Sequence, residues 1–498
     1  MFVKRLPLLV LLIIFIVHSK AQQLVLPGDH PDPSVVKIGD EYWAAGTTSN
    51  WFPAFTLYRS RDLINWKAAG HVFTKMPDWA GYYMWAPEIT YDNGKVYVYY
   101  TARKKEGSLC IAAAVADRPE GPYRDLGPLM CQKDGSIDAF PVRDENGKLH
   151  ILWKEDGNSA GKPTPIWAAE MKEDRTALVG EKKELFRADM PWERGLVEGV
   201  SVIKHKDYFY AIYAGAACCG RTCSYGTGVA RSKNLFGPWE KYPGNPVLTD
   251  NSEWKCPGHG TPVEKDGRFY FLYHAYSTGS SVYAGRQGLL NEFEFTPDGW
   301  LRFLNTTNGT NSVKPRNTND HFSTGTLSDG WHWSIFQKVR YAVAGNTLQL
   351  RALPVSCGAY IGQSVLTANY ESQVTLLNRS SSEAGLALIG DDRNIVSATV
   401  HKNKLRLIQL KQDKAEVIAE KMIRMPLRLV LKVKVRDNTQ ATFMYSTDGK
   451  RFHILNDQPA DISYLPPWDR AVRAGVVSKG DTGASAFFKN FMLTNQTQ

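Results

Sequence analysis

A turn followed by an aromatic-rich strand recurs five times along this chain, as Gly39-Asp-Glu-Tyr42, Gly94-Lys-Val-Tyr97, Gly147-Lys-Leu-His150, Asp207-Tyr-Phe-Tyr210 and Gly267-Arg-Phe-Tyr270. The steps are 55, 53, 60 and 60 residues. A unit of this length cannot bury its apolar face alone, and it matches one four-stranded propeller blade with its loops. Five such units predict an all-β, five-bladed β-propeller over residues 22–305. Composition agrees, since 14 Trp, 23 Tyr and 21 Phe suit strands and flat ligands better than helical bundles.

After Trp300 the rhythm changes. Residues 306–319 are polar and punctuated, a linker by composition. From 320 to 498 short alternating strands predict a second all-β domain, a β-sandwich. Leu427, Leu429, Leu431, Val433 and Val435 alternate there with mostly basic residues, the period of a half-buried strand. Asp448-Gly449 reads as a hairpin turn, and Ala486 to Leu493 as a terminal strand. Basic charge between Lys402 and Arg436 is thus spread over solvated strand faces, which excludes a nucleic-acid partner.

Lys4 and Arg5 precede an apolar run from Leu6 to Val17, and small residues at Ser19 and Ala21 complete a cleavable signal peptide over residues 1–21. The run is shorter than the roughly 20 residues of a membrane span. The expectation is an exported, periplasmic or extracellular protein without a membrane partner, monomeric by default. Export permits disulfides, and the seven cysteines (Cys110, Cys131, Cys218, Cys219, Cys223, Cys256 and Cys357) leave at least one unpaired. Their pairing stays open, with one or two bridges expected.

Nine to twelve residues upstream of the repeated aromatics stand Asp32, Glu88, Asp138, Glu198 and His259. If the strands they open are the innermost ones, these side chains converge at the propeller axis. Folding does not require an acid at the same phase of successive blades, and a buried carboxyl costs several kcal/mol unless paired or used. Glycoside hydrolysis is the chemistry that uses such a set: one carboxylic acid protonates the leaving oxygen, an ionised carboxylate activates water or attacks the sugar, and a third charge tunes the acid. Trp51, Phe52, Trp85, Phe140 and Trp192 are candidate platforms for sugar faces. Serine-hydrolase and zincin motifs are lacking, and Ala86-Pro-Glu88 stands without the other kinase motifs.

At these residues the chain resembles glycoside hydrolase family 43, the five-bladed glycosidases of the arabinofuranosidase and xylosidase group. Gly28-Asp-His-Pro-Asp-Pro-Ser-Val35, Trp85-Ala-Pro-Glu88, Ser136-Ile-Asp-Ala-Phe140, Val197-Glu-Gly199 and Gly258-His-Gly260 are similar to its motifs, in order, across all five blades. The resemblance implies Asp32 as general base, Glu198 as general acid and Asp138 as the residue that orients Glu198 and tunes its pKa, in an inverting displacement. It also implies that Arg286 contacts substrate, and that His259 lies on the axis, where relatives often bind a calcium ion with a mostly water shell; no cofactor is required. Glu88 departs from the family's usual Asp, and Asp138-Ala139 from its frequent Asp-Pro, which bears on the sugar rather than on activity.

The implied substrate is an oligosaccharide or polysaccharide, with exo-acting α-L-arabinofuranosidase placed first. A β-D-xylosidase is the alternative, and a non-catalytic carbohydrate-binding propeller the third reading. Asp320-His-Phe322, Trp331-His-Trp333 and Ala474-Gly-Val-Val-Ser478 resemble the concanavalin-like sandwich fused behind such propellers. That sandwich binds polysaccharide, rims the pocket with a loop, or covers a propeller face.

Overall fold

A computed structural model describes residues 22–304 and 314–496. The expected leader and most of the expected linker lie outside the described residues. Five antiparallel sheets carry the first part of the chain, with inner strands Ser34–Ile38, Ala80–Asp92, Ser136–Arg143, Val197–His205 and Trp254–Lys265. Each inner strand touches the next, and the fifth touches the first, so the sheets form a closed ring. The fifth sheet takes its outer strand, Gln23–Leu26, from the start of the propeller, paired with Arg286–Phe295.

The repeated turns join the first and second strands of each sheet. Asn93-Gly94 and Asp266-Gly267 place two successive residues at positive φ, the conformation that keeps a two-residue hairpin in step with strand twist. Adjacent sheets interleave their side chains, as where Tyr97, Tyr99 and Ile111 meet Leu149, Ile151 and Trp153. That contact explains why the repeat is aromatic.

The second part is a sandwich of a six-stranded and a nine-stranded sheet. It starts at Thr318–Asp320, slightly before the expected boundary, and its terminal strand Ser485–Gln496 lies centrally in the larger sheet. Arg428–Arg436 buries Leu429, Leu431, Val433 and Val435 as the alternation predicts, whereas Leu427 precedes the strand and is exposed. Propeller and sandwich share a core, because Tyr225, Cys256, Tyr276 and Tyr283 belong to the apolar cluster of the sandwich. They also share a sheet, in which Trp333–Ser334 pairs with Trp51–Phe52.

Three disulfides form, more than expected: Cys110–Cys131, Cys218–Cys219 and Cys223–Cys256, with Cys357 free and buried. Two bridges fasten the segment 218–223, one of them between sequence neighbours, a pairing that spacing does not suggest.

Candidate active site

Around the axis, each inner strand or the residues just before it place a residue in the left-handed region at one shared phase: Asp32 (φ 50), Ala86 (φ 43), Asp138 (φ 58), Gly199 (φ 60) and His259 (φ 44). A non-glycine residue held there costs about 1–3 kcal/mol, and such strain collects at functional sites. In the last four sheets the strand pairing slips around the same place, so a bulge re-aims the side chains. Gly199 has a second reason to be glycine, since a Cβ would lie 2.7 Å from the His259 ring.

The structural phase is therefore 32, 86, 138, 199 and 259, and two of the expected acids are offset from it. Glu88 lies two residues further on, where its Oε2 accepts a hydrogen bond from Thr261 Oγ1 at 2.8 Å and burial pushes its pKa up to about 8. It does not line the pocket. Glu198 precedes its phase position by one residue and still faces the pocket.

The pocket has a volume of about 610 Å³, and Asp32, Asp138, Glu198, His259, Arg286 and Trp85 line it together. Asp32 Oδ1 is 3.0 Å from Arg286 Nη1, and Oδ2 accepts a hydrogen bond from Thr47 Oγ1 at 2.7 Å. Burial opposes the Asp32 charge, but Arg286, His274, His259 and Thr47 outweigh it and hold the carboxyl down to about 2. Of these, Arg286 is the standing cation. His274 is pushed well below its ordinary value by burial and Arg286, and its Nδ1 accepts the Asp32 backbone N–H at 3.0 Å.

Asp138 is in the opposite state. Burial, reinforced by the charges of Glu198 and Asp32, pushes it up to about 7 against the pull of His259 and Lys154. Its Oδ2 accepts the Gly199 N–H at 3.0 Å. Glu198 sits between two donors, Lys154 Nζ at 2.5 Å and Tyr225 Oη at 2.9 Å. Lys154 is 1% exposed and also meets Asp156 at 2.9 Å; burial opposes its charge, yet Glu198 and Asp156 hold it protonated well above its ordinary value.

His259 Nδ1 lies 3.6 Å from Asp32 Oδ1 and 3.9 Å from Asp138 Oδ2, facing the carboxyls. Calcium ordinarily needs six to eight oxygen ligands, and among the described residues no group of three or more His, Cys, Asp or Glu side chains could hold a metal.

Four expected sugar platforms lie elsewhere. Trp51 is 2% exposed at the seam of the two domains, edge-on to Tyr360 and beneath Arg473, because its short strand pairs with the sandwich. Phe52 meets Trp333 at the same seam. Phe140 is buried with Leu152, Ile166 and Tyr213, since the strand points it between the third and fourth sheets. Trp192 fills the space beside Gly215 and Gly228 against Tyr213.

Sequence reasoning missed Lys154, Thr47 and His274, and of the three roles it left open for the sandwich, a loop that rims the pocket is the one seen here. Trp468 and Asp469 line it, and the Asp469 carbonyl accepts Arg286 Nη2 at 3.2 Å. Ser49 donates to the Asp469 carboxylate and accepts Trp85 Nε1 at 3.1 Å, so a sandwich residue helps to set a propeller indole. Cys218 and Cys219, joined by a disulfide, form part of the wall.

Residues 319–467 match the model of the β-xylosidase C-terminal concanavalin A-like domain. A xylan 1,3-β-xylosidase from Vibrio is 32% identical over 275 residues, 51% of this chain and 49% of that one, so the match spans about half of that relative. A non-reducing end α-L-arabinofuranosidase of Bacteroides ovatus is 24% identical over 74% of both chains. The crystal structure of a xylan β-1,4-xylosidase from Bacillus halodurans shares the fold over 95% of this chain and 99% of its own, with a TM-score of 0.81 at 22% identity. The ring is covered separately: the family 43 model runs unbroken over residues 21–301, from the closing outer strand to the last blade, and the chain belongs to the glycosyl hydrolases of family 43.

Proposed function

We propose that this protein is an exported, exo-acting glycosidase that releases single pentose units from plant-type oligosaccharides or polysaccharides with inversion. The observation that carries the reading is that three carboxyls of one pocket are held in three different electrostatic settings. Asp32 is an ionised base at any pH above about 2. It takes a proton from water as the oxygen bonds to the anomeric carbon, while Glu198 gives a proton to the departing glycosidic oxygen.

Burial keeps a proton on Asp138 up to about pH 7, and Asp138 Oδ2 accepts the N–H of Gly199 beside Glu198, while Lys154 and Tyr225 hold the Glu198 carboxyl in place. Arg286 keeps Asp32 from capturing the Asp138 proton.

The pH profile of kcat/KM tests this arrangement. Asp32 sets no limb above pH 3, whereas loss of the Asp138 proton makes kcat/KM fall as pH rises through about 7. Lys154 lowers the Asp138 pKa, so Lys154→Met moves the falling limb to higher pH. A profile flat to pH 9, or a limb unmoved in the variant, would remove Asp138 as the group that sets the limb.

α-L-Arabinofuranosides are the first substrate, supported by the similarity to the Bacteroides enzyme along both domains. β-D-Xylosides are the second reading, favoured by the sandwich's match to the β-xylosidase domain. Aryl α-L-arabinofuranoside, β-D-xyloside and β-galactoside decide between them, with the product anomer followed by NMR. Arabinose released with inverted configuration is the expected result, and no turnover of either pentoside would defeat the proposal.

A further inference from the structure

The strand Ala80–Asp92 slips register twice on entering the pocket, between Ala80 and Tyr82 and between Tyr82 and Trp85, and Tyr83 stands at φ 60. Neighbours in a regular strand point to opposite faces. Here the rings of Tyr82 and Tyr83 meet at 4.6 Å, and Tyr83 stacks on Trp85 at 4.3 Å. A left-handed tyrosine costs about 1–3 kcal/mol, and core burial does not account for it, because all three rings are only partly buried.

The sandwich extends this row at both ends. Trp468 meets Trp85 edge-on at 5.9 Å over the pocket, and Phe336 meets Tyr82 at 5.8 Å outside it. Phe336 is 59% exposed, which is unusual for a phenylalanine held in place by a domain seam. The seam fixes it through Asn50, whose carbonyl accepts the Ile335 N–H at 2.9 Å and whose Oδ1 accepts the Tyr83 N–H at 3.0 Å. A continuous aromatic row thus leaves the catalytic pocket and ends in solvent, the form of exposed apolar surface that marks a ligand groove.

We propose that Tyr83, Tyr82 and Phe336 form a track for the leaving part of the substrate, holding successive sugar units of an oligosaccharide or polysaccharide chain beyond the scissile bond. This rests on the glycosidase reading above. The occupant is a sugar chain because the row is continuous with the pocket, and ring faces complement the C–H faces of sugars. Lone glycosides with a small leaving group do not reach Tyr82 or Phe336.

Phe336→Ala, Tyr82→Ala and the double variant test the track against two substrates: a 4-nitrophenyl pentoside and a linear pentasaccharide of the same sugar. The double variant is expected to lower kcat/KM on the pentasaccharide by about tenfold, mainly through KM, and to leave the aryl pentoside within about twofold. Phe336→Tyr is expected to retain wild-type behaviour. Unchanged melting temperatures confirm folding, and Phe336→Ala alone, at an exposed position, carries the test if the double variant melts early.

Equal losses on both substrates, or none on the pentasaccharide, would overturn the track. So would a wild-type dimer that dissociates on Phe336→Ala in sedimentation, since the row would then be covered by a second copy. Wild-type failure on both substrates is a different result, which defeats the glycosidase reading itself.

Discussion

Asp32→Asn is expected to lower kcat by about 10²–10⁴-fold on every pentoside the enzyme accepts, with KM little changed. The amide keeps the shape and the Thr47 contact but cannot take a proton from water. Because water attack is needed whatever group departs, the loss should be the same for aryl and alkyl leaving groups. Stability should fall too. Arg286 would keep a buried guanidinium without its carboxylate, and breaking one side of a buried pair costs about 3–5 kcal/mol. Kinetics on paired substrates and a denaturant melt check both parts. Turnover within tenfold of wild type would remove Asp32 as the base.

Glu198→Gln is expected to separate the leaving groups instead. An alkyl or sugar oxygen departs poorly without a proton, so kcat on an oligosaccharide should drop by about 10²–10⁴-fold. A nitrophenolate departs readily, so the aryl pentoside should lose much less. Lys154 retains Asp156 as its partner at 2.9 Å, which limits the structural damage, and sugar binding should persist. Equal losses on the two substrates would contradict the acid role, and unchanged turnover would remove it.

The ring was legible in the sequence because a hairpin turn and an inter-sheet aromatic must recur in every blade. The catalytic acids were legible for a related reason: each inner strand begins at the axis. Phase read from sequence was still blurred by one or two residues, since the bulges beside Ala86, Asp138, Gly199 and His259 add residues without changing the pattern. Glu88 fell within that blur and lies below the pocket.

Lys154 had a readable signal, a lysine ending the apolar run Leu149-His-Ile-Leu-Trp153 in a strand otherwise committed to the core. The aromatic platforms were not separable. Trp51 and Phe140 differ from Trp85 only in which way a short strand or bulge turns them, and for Trp51 the partner lies in the sandwich, far along the chain. Trp468 was hidden likewise, since no local pattern reports which loop of a second domain reaches a pocket in the first.

Gln23 pairs with Leu290, and this closure sets an order of assembly. During translation the opening strand emerges long before its partner exists, and the final blade presents a bare edge until the two meet. Bringing such distant segments together is slow, and an unpaired edge invites association with other chains. Maturation therefore depends on keeping a nearly finished ring apart from its copies until its first strand docks.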